Sequence, residues 1–127
     1  MFVRTEDGIY ELADNMTIET GVYSFFGRVY NTTEKHLFRN DNDLGEFVAQ
    51  SENLDELCDG FYWDCEDGFN SHNFMNFKIA KDTWSEYVND CLEDNETPEA
   101  NMYGFIKTSK GLIYVAKMNS DPVLKLF

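Results

Sequence analysis

The sequence predicts an α+β domain, a mostly antiparallel sheet of about six or seven strands with two short amphipathic helices on one side or at one end. Three observations point there. Of 127 residues, 43% are hydrophobic and 16% aromatic, ample for one packed core and too few for two comfortable ones. Short aromatic and β-branched runs recur between Gly, Asn and Asp clusters, as strands do. Two stretches instead repeat apolar residues at helical spacing behind capping residues. With no internal repeat, low-complexity tract or linker, residues 1–127 read as a single domain.

Phe2 to Arg4 and Ile9 to Leu12 flank Thr5-Glu6-Asp7-Gly8, and Asp-Gly between apolar segments signals a hairpin because Gly accepts positive φ. Asn15 to Thr20 is a connection. Gly21 to Tyr30 reads as one strand, with Gly27 a candidate bulge. Asn31 to Lys35 is a turn, His36 to Arg39 a short strand, Asn40 to Gly45 a loop and Glu46 to Gln50 a further strand. The first helix starts at Asn53, where Glu56 completes a capping box. Leu54, Leu57, Cys58, Phe61 and Tyr62 share its apolar face, and Gly60 weakens it so that it ends near Trp63. Asp64 to Asn73 is a loop, and Phe74 to Ala80 alternates as a strand.

The second helix starts at a Thr83/Glu86 capping box. Trp84, Tyr87, Val88, Cys91 and Leu92 lie on one side, with Asp82, Glu86, Asp90 and Glu93 on the opposite arc. Asn95 to Asn101 is a polar loop. Met102 to Lys107 and Gly111 to Met118 form a hairpin around Thr108-Ser109-Lys110. The second arm is nearly continuous in apolar residues, so it belongs inside the sheet. Asn119 to Pro122 turns the chain, and Val123 to Phe127 adds an edge strand.

Charge is the chain's most distinctive property. The net is −14, and residues 40–106 hold 17 acids against Lys78 and Lys81. Direct binding to nucleic acid or to an anionic membrane face is disfavoured, since both need Lys and Arg. A basic protein partner is favoured instead. The candidate contact residues are Glu52, Asp55, Glu56, Asp59, Asp64, Glu66 and Asp67 in the middle of the chain and Asp82, Glu86, Asp90 and Glu93 on the second helix. The polar side of any helix is charged, but charge of one sign costs a few tenths of a kcal/mol per like pair. Helical spacing assigns Phe61 and Tyr62 to the core. Trp63 is the aromatic offered as a surface anchor, against the commoner fate of burial.

No catalytic or cofactor signature emerges. Cys58, Cys65 and Cys91 are odd in number and lack paired zinc spacing, so reduced cytosolic thiols are the simplest account. Cys58 and Cys91 fall on apolar faces, and neighbouring carboxylates disfavour a thiolate. His36, within a strand, reads as a surface or hydrogen-bonded residue, and His72 sits in a loop with nothing to orient it. Asp41, Asp43 and Glu52 occupy positions 1, 3 and 12 of a calcium-loop numbering, but position 6 is Glu46 rather than Gly. No metal, no cofactor and no catalytic residue is expected. The N-terminus meets charge too early for a signal peptide, and no apolar run approaches a membrane span.

RTEDGIYEL, VAQSENLDELCDGF and YGFIKTSKGLIYVAKMN resemble a family of small uncharacterised proteins from phages and prophages of low-GC Gram-positive bacteria. The resemblance spans the first hairpin, the first helix and the last hairpin. It implies a setting, a phage product in the host cytosol, and carries over no functional residue. The leading expectation is therefore a non-enzymatic inhibitor of a host nucleic-acid-handling defence protein, with an anti-CRISPR acting on a Cas9-type nuclease as its most specific form. One alternative is a sponge or enzyme for a defence signalling nucleotide, which needs Arg4, Arg28, Arg39, Lys107, Lys110 and Lys117 to converge. Another is an acidic assembly or regulatory subunit.

Overall fold

The structure, a computed structural model, describes residues 1–11, 22–25, 28–33, 36–39, 42–64, 71–118 and 123–126. By its contacts the chain forms two compact units, Met1–Leu57 and Cys58–Phe127. The expected mixed, mostly antiparallel architecture is present. It comprises eleven strands in two sheets and one α-helix among the described residues. The second predicted helix is found; the first is not.

In the first unit the strands are β1 (Phe2–Thr5), β2 (Ile9–Glu11), β3 (Val22–Phe25), β4 (Arg28–Thr33), β5 (His36–Arg39) and β6 (Asn42–Ser51). They lie in the order β2-β1-β6-β5-β4-β3, every neighbour antiparallel. The first hairpin forms as expected, with Arg4 opposite Ile9. Its turn is held by the fully buried Thr5 hydroxyl, which donates to the Leu44 carbonyl (2.6 Å) and accepts from the Asp7 and Gly8 amides (3.2 Å each). The glycine requiring positive φ is Gly45 (φ 104°) rather than Gly8. A Cβ at Gly45 would stand 3.1 Å from the Thr5 hydroxyl oxygen, so strand β6 can close over this turn only with glycine there.

Gly21 to Tyr30 is not one strand. It contains β3 and β4, paired antiparallel with Phe25 opposite Arg28; Gly27 lies outside the described residues. Aromatic and β-branched content marks strand but does not say where the chain reverses. Likewise β4 continues through Asn31–Thr33, read as turn, and β6 begins at Asn42, read as loop, because ladder partners are available to both. The expected connection at Asn15 to Thr20 and the turn at Asn119 to Pro122 lie outside the described residues.

In place of the first helix there is a single 3-10 turn, Leu54–Leu57, with both leucines buried. Asn53 and Glu56 do meet, but through side chains: the Asn53 amide donates to one Glu56 oxygen (3.4 Å) and the Ser51 hydroxyl to the other (2.6 Å). The helical spacing then gives way to strand. The Asp59 amide donates to the Phe105 carbonyl (2.9 Å), and its carboxylate accepts from the Lys107 amide (2.7 Å). Gly60–Asp64 becomes β7, a location suited to Phe-Tyr-Trp. Phe61 and Tyr62 therefore point to opposite sheet faces instead of sharing a helix face.

The second unit contains β7, β8 (Phe74–Met75), α1 (Phe77–Glu93), β9 (Asn101–Thr108), β10 (Gly111–Met118) and β11 (Leu124–Leu126). The sheet order is β11-β10-β9-β7-β8. The predicted last hairpin is present, with Thr108 bonded to Gly111 and Lys110 across the turn. Strand β10 is internal, as its apolar run implied, and β11 is the expected edge. One sheet face carries the core: Phe61, Met102 and Met118 pack with Ala80, Trp84 and Val88 of α1.

Candidate functional site

Helix α1 begins six residues before the predicted Thr83 start. Asn76 is the cap, its side-chain oxygen accepting from the Ile79 amide at 2.9 Å. With Ile rather than Glu at the third helical position there is no capping box, and Phe74 to Ala80 mimics strand alternation. Only Phe74–Met75 is strand. Ala80, Trp84, Val88 and Cys91 then follow a helical period and are buried. The helix ends in a Schellman arrangement. Asn95 adopts φ 54°, its amide donates to Leu92 O (3.3 Å), and the Glu96 amide donates to Cys91 O (2.7 Å).

The opposite side of α1 is acidic. Asp82, Glu86, Asp90 and Glu93 are all exposed. At about 100° and 1.5 Å per residue they occupy an arc of about 80° along about 16 Å of axis. Ile79, 51% exposed, lies in the same arc. Leu92 was expected on the buried side but is 66% exposed, because it falls about 90° from the middle of the buried arc. The charges run against the helix dipole. No acid lies in the first turn, where Lys78 sits, and no base lies in the last, where Asp90 and Glu93 sit. Each such placement costs about 0.3–1 kcal/mol relative to the favourable one.

The remaining predicted contacts that are described fall in both units. Glu52 and Glu56 are exposed and Asp55 is half-buried, all around the 3-10 turn of the first unit. Glu56 is engaged, and the Ser51 and then Asn53 bonds hold its carboxyl below the usual value. In the second unit Asp59 is committed to the Lys107 amide. Asp64 shares a face with Tyr62, on the side of the sheet away from α1. Glu66 and Asp67 lie outside the described residues. Trp63 is half-buried and closed over by the helix, edge-on to Trp84 (6.0 Å) and to Tyr87 (5.1 Å), so it is no free anchor.

One feature escaped the sequence reading. The face of the second sheet away from α1 carries an aromatic group, with Tyr62 tilted against Phe74 (5.0 Å) and Tyr114 (6.0 Å) and Tyr103 against Tyr114 (5.3 Å). Partial removal from water, then the neighbouring Tyr62, Asp64 and Tyr103, holds the Tyr114 phenol above its usual value. Lys117 and Lys125 stand on this face beside Tyr103. Alternation along β9 and β10 was the available signal.

Comparison with protein-family models, curated proteins and solved structures finds no match to this chain.

Among the described residues no three His, Cys, Asp or Glu side chains gather as a metal ion would require. Nor is any described helix long and apolar enough to cross a membrane. Cys91 is buried on the inner side of α1, and the Cys58 sulfur lies 2.9 Å from where a Cβ on Gly104 would be. Both thiols have packing roles. Of the basic residues a nucleotide would need, Lys107, Lys110 and Lys117 belong to the second unit and Arg4 to the first.

Proposed function

We propose that this chain is a non-enzymatic binding protein that presents the acidic face of α1 to a basic, nucleic-acid-handling protein in place of the polyanion that protein normally holds. The supporting observation is the direction of the charge. Four exposed carboxylates share one arc, two of them in the last turn where the helix dipole disfavours acids. Stability alone favours Lys or Arg there. A selected negative field accounts for the opposite choice, and such a field speeds encounter with a basic partner.

The resemblance to phage proteins implies a bacterial cytosol as the setting, and a host defence protein is the partner proposed there. A Cas9-type nuclease holds its heteroduplex in a positively charged channel, which suits this surface. Competition between the chain and target DNA for a guide-loaded nuclease tests the reading. DNA binding should be blocked, and inhibition should weaken steeply as salt rises from about 50 to about 500 mM. Reversing Asp82, Glu86, Asp90 and Glu93 to Lys should abolish it. Salt-independent inhibition, or full inhibition by the reversed variant, overturns the reading.

A further inference from the structure

The second unit is unevenly charged, with Lys78 and Lys81 early in α1 and Asp64 on the lysine-bearing sheet face as the exceptions. Asp82 to Glu99 holds seven acids and no Lys or Arg, whereas Asn101–Met118 and Leu124–Leu126 hold four lysines and no acid. The core contacts of Met102 and Met118 fix which sheet face α1 covers. Strand alternation and the pairs Lys107↔Leu112, Phe105↔Tyr114, Tyr103↔Lys117 and Lys117↔Lys125 put three of the lysines on the other face. Those lysines are exposed, and beside them Leu112 (39%) and Tyr114 (37%) remain open to solvent. Lys117 and Lys125 are directly opposite one another, an arrangement that destabilises a sheet when no anion lies between the side chains.

We infer that this lysine-and-tyrosine sheet face docks the acidic face of α1 from a second copy of the chain. The occupant is argued from complementarity. The outer side of α1 offers a row of carboxylates flanked by exposed Ile79, and the sheet face offers a row of lysines flanked by exposed Leu112 and Tyr114. The two surfaces belong to opposite sides of one unit, so the contact is heterologous. Copies add head to tail, into a ring or an open chain. Because the docked carboxylates are those offered to a foreign partner, self-association withholds them at high protein concentration and low salt.

Sedimentation of the full chain alone, from micromolar to near-millimolar, tests this without reference to any foreign partner. The expected result is concentration-dependent association at about 50 mM salt that is lost at about 500 mM. Lys117→Gln/Lys125→Gln and, separately, Glu86→Gln/Asp90→Asn should each weaken it about tenfold, the sum of two exposed ion pairs. These positions are solvent-facing, and far-ultraviolet circular dichroism verifies that each variant is folded. Mixing the two variants should restore a single contact and give a capped 1:1 pair. A chain that stays monomeric at low salt, or association that survives in both variants, overturns the inference. So does a low-salt monomer whose melting temperature rises with ATP in a Lys117- and Lys125-dependent way, which assigns the face to a small anion.

Discussion

Glu56 is the residue whose environment departs most from what the sequence implied. Its carboxylate caps no helix, yet it is held by Ser51 and Asn53 on an exposed turn. Its pKa is lowered, so the stabilisation is present above the unfolded-state value and is lost as pH falls through the folded one. A carboxyl-detected NMR titration should therefore place Glu56 below the usual glutamate value, and Ser51→Ala should move it back up. Gly60 shows a different kind of constraint. It was read as a helix breaker, but a Cβ there would stand 2.7 Å from the ring of buried Phe105. Gly60→Ala is expected to lower stability by about 1–3 kcal/mol in urea denaturation, because the buried ring must shift to admit the methyl group. The pairing of Asn53 with Glu56 was visible in sequence as a capping box, whereas the Gly60–Phe105 contact joins positions through packing that the pattern of residue types does not encode.

Among the elements, hairpins were the most legible and boundaries the least. The first and last hairpins follow from turn residues between apolar arms, and the local register settles them. The stretch from Leu54 to Tyr62 satisfied a helical period equally well, but Phe105, Gly104 and Tyr103 supply strand partners to Gly60, Phe61 and Tyr62 from far along the chain, and periodicity carries no information about those. In α1 the inner and outer faces were legible from Trp84 onward, except that Leu92 was placed on the inner side and is exposed. Its start was not, because Asn76 caps without a Glu three residues later and Phe74 to Ala80 alternates. The end has its own signature, Asn95 in the left-handed region after the last turn. Asn95→Ala should cost about 1 kcal/mol, read as a lower denaturation midpoint, since Ala tolerates that conformation poorly and Asn comparatively well.

For the whole molecule, the sequence located the excess of negative charge correctly along the chain but could not distribute it in space. Four of the candidate carboxylates share the outer arc of α1. Asp59 is tied to a strand amide, and Asp64 belongs to the opposite sheet face. Trp63 is packed under the helix. Lys107, Lys117 and Lys125 are brought by β9, β10 and β11 onto the sheet face away from α1, with Asp64 beside them, leaving the second unit mainly acidic on α1 and mainly basic on that face. Both proposals rest on that polarity, and the first requires that the α1 carboxylates are kept against the helix's own stability.

Urea denaturation of Asp90→Lys/Glu93→Lys, followed by tryptophan fluorescence, tests this requirement most directly. Both tryptophans, Trp63 and Trp84, lie where α1 meets β7, so the signal reports on this helix. The double reversal should raise stability by about 0.5–2 kcal/mol at low salt, as two last-turn charges come into line with the dipole. A fall in stability would mean that these carboxylates serve the fold, contradicting the account.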